Sequence, residues 1–269
     1  MRKFYRHPHI LLGGIAILCI SICIFCIVRI VSTTFDYKEG SRIYTDLTKY
    51  VSIPPKNPID HSPESNPIPS IDVESKLEQK NLPAVDFKAL QDINPDIVAW
   101  LICEDTPINY PVVQGIDNDY YLKHLFDGSS NGAGCLFVDV NNTSGFTDHN
   151  TVIYGHNMKD QSMFAFLTRY KDQAFYENHP EMVLLTPDGN YNIELFSGYM
   201  TTVEDESWKL SFSSDIEFEK WIAHTKARSS FVSYVDISRS ERVITLSTCS
   251  YESSNARYIV VCKLVPAKM

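Results

Sequence analysis

The sharpest contrast along the chain is at its start, where Ile10 to Val28 is an uncharged apolar run, ILLGGIAILCISICIFCIV. Its 19 residues suffice for a helix across a bilayer core. Arg2, Lys3 and Arg6 precede it and only Arg29 follows closely. That asymmetry predicts a cytoplasmic N-terminus and export of the rest. No small-residue cleavage site follows the run, which favours an uncleaved signal anchor over a removed signal peptide. The chain is therefore divided into a cytoplasmic tail (1–9), a transmembrane anchor (10–31), an extracytoplasmic spacer (32–82) and a folded domain (83–269). The spacer is polar and carries Pro54, Pro55, Pro58, Pro63, Pro67 and Pro69. It is expected to be stiff and extended, lifting the domain off the membrane, with one short helix near 45–51.

Beyond Pro83 the pattern turns to short alternating runs. A helix is expected over Phe87–Asn94. Strands are expected over Ile97–Ile102, Ile108–Val113, Gly134–Asp139, Thr151–Gly155, Glu181–Thr186, Tyr191–Met200, Arg242–Thr248 and Tyr258–Val265. Pro111 suggests an edge or a bulge. Pro187-Asp-Gly-Asn190 marks a hairpin turn. Helical spacing marks Ser162–Arg169 and Asp215–Ala227, and Asp119–Leu125 suits a helical turn. About eight strands with a few short helices and no repeat predict a mostly β fold, a largely antiparallel β-barrel, preceded by the membrane helix.

Composition narrows the function. A net charge of −9 argues against nucleic acid as a partner, since that calls for a basic face. Of seven cysteines, Cys19, Cys23 and Cys26 fall in the apolar run. The other four, Cys103, Cys135, Cys249 and Cys262, are scattered and form no CxxC pair. Neither a disulfide scaffold nor a zinc site is indicated. With no calcium cluster or phosphate-cradling glycine loop either, no metal and no cofactor are expected.

The candidate chemistry sits at strand ends. In Val243-Ile-Thr-Leu-Ser-Thr-Cys249, alternation puts Val243, Thr245, Ser247 and Cys249 on one face and Ile244, Leu246 and Thr248 on the other. Cys249 is the last residue of its face, where the strand meets a polar loop. Cys262, by contrast, lies among apolar neighbours. Arg257 opens the next run. Antiparallel pairing would bring it near Cys249, where a fixed cation can hold a developing oxyanion. Taken alone it reads as a surface arginine. His156 ends a third run after Tyr154-Gly155, and the glycine permits an unusual turn there. An imidazole so placed serves as general acid and base toward a thiol and a leaving amine. His7, His9, His61, His124, His149, His179 and His224 lack that strand-end setting.

Thr245-Leu-Ser-Thr-Cys249 with Arg257, and Tyr154-Gly-His156 upstream, resemble the signature of sortases. The Leu-Ser-Thr-Cys form followed by Ser-Tyr-Glu is similar to class B. Asn94–Trp100, Ile108–Gln114, Asp117–Leu122 and Tyr154–Asp160 fit the same class, so that the resemblance runs from about residue 83 to 265. It implies an eight-stranded sortase-type barrel and a membrane-anchored cysteine transpeptidase. It also implies that Cys249 is the nucleophile, His156 the general acid/base and Arg257 the oxyanion or substrate stabiliser. Asn118, Leu122, Ser247 and Thr248 would bind substrate, and the segment Thr201–Phe231 would shape the groove. The implied partners are exported proteins with a C-terminal Asn-Pro-x-Thr-Gly-like sorting signal and an amine of a peptidoglycan precursor. Some class B members carry an acid just after the cysteine. Here those positions are Ser250 and Tyr251, and the nearest acid is Glu252. A cysteine endopeptidase with water as acceptor, a pilin-polymerising sortase and an inactive tethered binding protein stay open on the sequence. A redox thiol protein is disfavoured by the missing CxxC.

Overall fold

A computed structural model describes residues 8–54, 82–249 and 255–267. Helix α1 runs unbroken from Pro8 to Leu47 and is followed by a 3-10 turn, Thr48–Tyr50. The span from Gly14 is long and apolar enough to cross a membrane, and Leu18, Phe25 and Ile30 find no protein cover. The polar stretch from Ser32 was expected to be extended, but it stays helical as far as Leu47. No proline interrupts it before Pro54. Thr33, Thr34 and Thr45 return their hydroxyls to carbonyls four residues back, and Arg42 pairs with Glu39 and Asp46 along the helix. The separate helix expected near 45–51 is the end of α1 and this turn.

Strand β1 (Val51–Ser52) then pairs antiparallel with β2 (Ala84–Val85). Both ends of the proline-rich segment are thereby tied together at the body of the protein. Residues 55–81, with Pro55 to Pro69, lie outside the described part. Helix α2 (Phe87–Ile93) starts at Asp86, whose side chain accepts the Ala89 N–H.

Eight strands form the closed barrel: β3 (Ile97–Ile102), β4 (Asn109–Val113), β5 (Leu136–Val138), β6 (Asn150–Gly155), β7 (Glu181–Leu185), β8 (Tyr191–Thr202), β9 (Arg242–Cys249) and β10 (Ala256–Pro266). Their order is β10-β8-β7-β3-β4-β5-β6-β9. The eight-stranded, mostly β expectation therefore holds. Two pairings are parallel, β4 with β5 and β6 with β9. A closed barrel has no edge, so Pro111 is not on one. Its missing N–H is tolerated because β5 pairs only Val112 and Val113 of β4. A bulge interrupts β3 across from these residues, between Ile97 and Ala99.

Alternation along β9 sorts its apolar side chains into two cores. Ile244 and Leu246 face the barrel interior with Trp100, Val260 and Cys262. Val243 faces outward with Ile259 and Val261, under Phe218 and Trp221 of helix α4 (Asp215–Ala227). The helical segment expected over Ser162–Arg169 is a 3-10 helix, Phe164–Lys171, and the short helix α3 (Gln173–Asn178) follows.

Candidate active site

The barrel brings three strand ends into one row. In the parallel pair β6/β9, Gly155 stands opposite Thr248, so His156 follows directly beside the end of β9. In the antiparallel pair β9/β10, Cys249 stands opposite Arg257. Positions facing each other in this way lie about 5 Å apart at their β-carbons. Cysteine, histidine and arginine thus occupy neighbouring positions on three adjacent strands, although 93 residues separate His156 from Cys249 in sequence.

A cleft of about 680 Å³ opens at this row. Its floor is Tyr154, Gly155 and His156 from the end of β6 together with Ser247, Thr248 and Arg257. Asn118, Leu122 and Phe137 close one side, and Val203, Asp205, Glu206, Trp208 and Lys209 the other. All four residues expected to bind substrate, Asn118, Leu122, Ser247 and Thr248, therefore line the same cleft as His156 and Arg257. Residues 250–254, with Glu252, lie outside the described part.

Hydrogen bonding fixes much of this lining. His156 Nε2 is 2.8 Å from the carbonyl oxygen of Leu122. A carbonyl only accepts, so Nε2 carries a proton in both charge states of the ring and Nδ1 is the nitrogen that exchanges one. Gly155 is needed for a different reason from the one expected. Its backbone lies outside the left-handed region. A β-carbon there would sit 2.6 Å from Phe164 Cδ2 and would also collide with Leu136. Asn118 donates to Asp139 (3.1 Å) and accepts the Val140 N–H (2.9 Å), and the Tyr154 hydroxyl donates to the same carboxylate (2.9 Å). Burial pushes the Tyr154 hydroxyl far up, the neighbouring Asp139 adding to it, so it stays a donor.

The opposite wall is held by residues that the sequence pattern did not single out. Trp208 Nε1 donates to Ser247 Oγ at 3.0 Å, laying the indole beside β9. Asp205 pairs with Arg228 at 2.8 Å, and Arg228 also reaches the carbonyl of Met200 at 3.2 Å. Burial raises the Asp205 carboxyl, but hydrogen bonds from Ser207 and Arg228 outweigh it and hold the group below its ordinary range. Trp221 of α4 donates to the Glu206 carbonyl (3.1 Å). Thr248 Oγ1 is buried without a hydrogen-bond partner among the described residues.

The other thiols and imidazoles are poorly placed for chemistry. Cys103, Cys135 and Cys262 are buried and free. Burial raises all three thiols, Cys135 to about 12. His124 stacks on Tyr120, His179 stacks on Phe175, and His149 packs against Phe212 and Phe218. Among the described histidines only His156 lines the cleft. No group of three or more metal-binding side chains occurs among the described residues.

Comparison with known proteins places the chain among relatives of the same fold. The family model described as a sortase domain matches residues 101–265. The chain is 41% identical to sortase B of Listeria monocytogenes over 182 residues, 67% of this chain and 74% of that protein. The solved sortase B of Bacillus anthracis in complex with AAEK1 superposes with a TM-score of 0.69 at 33% identity, covering 87% of this chain and 99% of that one. The Staphylococcus aureus sortase B–substrate complex gives a TM-score of 0.65 at 35% identity, covering 68% and 85%.

Proposed function

Since the chain belongs to the sortase family, as a cysteine transpeptidase of the B type, we propose that it cuts an Asn-Pro-x-Thr-Gly or Asn-Pro-x-Thr-Asn sorting signal after Thr. The new end is joined to a peptidoglycan amine. The observation that carries this reading is the register that sets Cys249 opposite Arg257 and Gly155 opposite Thr248.

In the first half-reaction the Cys249 thiolate adds to the threonine carbonyl carbon, and the carbonyl oxygen becomes an oxyanion that the Arg257 guanidinium stabilises. The C–N bond then breaks. The departing amine takes a proton from His156, and a thioester is left on Cys249. In the second half-reaction the acceptor amine adds to the thioester carbon while His156 takes up its proton. The intermediate collapses to an amide and the thiolate returns. Nδ1 of His156 is the atom that gives and receives the proton, because Nε2–H is committed to Leu122. Asn118, Leu122, Ser247 and Thr248 bind the signal along the cleft. Basic Arg2, Lys3 and Arg6 hold the N-terminus in the cytoplasm, so the barrel works outside.

The test uses the full chain in detergent with a fluorogenic Asn-Pro-Gln-Thr-Gly peptide, with and without added triglycine. Cleavage between Thr and Gly is expected, with triglycine captured in the product and a thioester visible by intact mass. Cys249→Ala abolishes it, and Arg257→Ala lowers kcat by about 100-fold or more, the scale of a lost oxyanion donor. Cleavage that survives in Cys249→Ala would overturn the assignment. Free acid as sole product with abundant amine would point to an endopeptidase.

A further inference from the structure

The far end of α1 is docked beside the candidate active site. Its stripe Tyr37, Gly40, Tyr44 and Leu47 faces the barrel, with Tyr44 and Leu47 each only 6% exposed. Gly40 faces Ala133 and Asn131, where a β-carbon would make ordinary van der Waals contact at 3.5 Å. Asn131 Nδ2 donates to the carbonyl of Asp36 (2.8 Å) and the Tyr44 hydroxyl donates to the carbonyl of Gly134. Burial, with Cys135 alongside, pushes the Tyr44 hydroxyl well up, so that it remains a donor.

Two chains of contact lead from Tyr44 to His156, one to each end of the residue. The first runs through Gly134, whose left-handed backbone (φ 62°) brings its α-carbon under the imidazole. A β-carbon there would lie 3.1 Å from both His156 Cδ2 and the Leu122 oxygen that holds Nε2. The next residue, Cys135, donates its N–H to Tyr121 at 2.9 Å and so ties this strand entry to the turn that carries Leu122. The second runs through Tyr110, whose ring meets that of Tyr44 edge-on at 5.2 Å. The Tyr110 hydroxyl accepts the Met163 N–H (3.2 Å), Met163 itself being held at φ 55°. The following N–H, of Phe164, donates to the His156 carbonyl at 2.8 Å.

We propose that Tyr44, on the membrane-anchor helix, is a positioning residue for His156, so that docking of α1 sets the orientation of the imidazole. The catalytic consequence rests on the acid/base role given to His156 above. The structural consequence, an imidazole fixed by α1, does not.

The experiment compares the full chain with its Tyr44→Phe and Tyr110→Phe variants in nanodiscs. The readouts are kcat and KM for the sorting peptide, thermal unfolding, and the NMR resonance of the His156 ring in ¹³C-histidine protein, assigned with His156→Gln. Tyr44→Phe keeps the ring and removes only the hydroxyl. It is expected to shift and broaden the His156 resonance and to lower kcat about 10-fold at nearly constant KM, as for a misplaced catalytic group. Tyr110→Phe does the same through the other arm, and it decides the matter should Tyr44→Phe not fold. A fall in unfolding temperature with kcat and the His156 resonance unchanged would leave Tyr44 a merely structural residue and overturn the proposal. Full activity in His156→Gln would instead remove the acid/base reading, while the resonance would still report whether Tyr44 positions the ring.

Discussion

Gly155 owes its identity to packing. Phe164 and Leu136 occupy the space its β-carbon would take, with Phe164 Cγ 2.8 Å away. Neither neighbour can retreat, since both are fully buried. Gly155→Ala is therefore expected to cost about 1–3 kcal/mol, the range for an overpacked core. It should also lower kcat, because the displaced residue next to it is His156. Urea unfolding and peptide cleavage on the same sample check both effects, and an Ala variant of unchanged stability would refute the packing argument. The sequence shows that a small residue precedes the histidine but not why, because Phe164 and Leu136 are brought there by the fold. The placing of Cys249, His156 and Arg257 at neighbouring strand ends was legible because each closes or opens an apolar run. Trp208 and Asp205 were legible only as members of the segment Thr201–Phe231, since they lie in an aperiodic stretch and gain individual meaning from Ser247 on β9 and from Arg228 just past α4.

Helix α4 shows how an element beside the cleft is fastened. Ser214 caps its N-terminus by accepting the Glu217 N–H at 3.3 Å, and Glu217 reaches back to the Ser213 N–H at 2.6 Å and its hydroxyl at 2.8 Å. Glu217 also pairs with Lys209 of the cleft wall. Lys209 first, and then the Ser213 donors, pull its carboxyl from 4.5 down to about 2. A carboxyl depressed on folding stabilises the folded state above its unfolded value and ceases to do so as pH falls through its folded value. The stability difference between the wild type and Glu217→Gln should therefore be constant above about pH 5, shrink as pH falls below 4.5 and vanish once pH has passed below about 2. Urea midpoints across that window check it, and a difference independent of pH would assign the effect to shape instead of charge. The extent of α4 was readable from its apolar spacing. Two antiparallel pairings were readable as well, β7 with β8 from the turn between them and β9 with β10 from the short loop after Cys249. The parallel join of β6 to β9 that builds the site was not, since alternation marks a strand without naming a distant neighbour.

At the scale of the molecule, α1 joins the apolar span and the barrel into one continuous support. The sequence hid this because the docking residues Tyr37, Gly40, Tyr44 and Leu47 are spread thinly through a polar stretch, so the folded domain seemed to begin near residue 83. Packing in fact begins around Asp36, and Asp86 donates its N–H to Tyr50 at 2.9 Å. Cutting the chain at 83 strips two buried side chains, Tyr44 and Leu47, along with strand β1. At about 1.5–3 kcal/mol for each buried large side chain, a fragment starting at 83 should be roughly 3–6 kcal/mol less stable than one starting at 32. The described part of the apolar span, residues 14–31, is exposed throughout, so loss of the chain up to residue 31 should leave the stability of that body unchanged. Urea unfolding of the two fragments, followed by tryptophan fluorescence from Trp100 in the barrel core, separates these cases. Equal midpoints would mean that α1 lies on the barrel without supporting it. A large gap would make the last turns of α1 part of the catalytic fold.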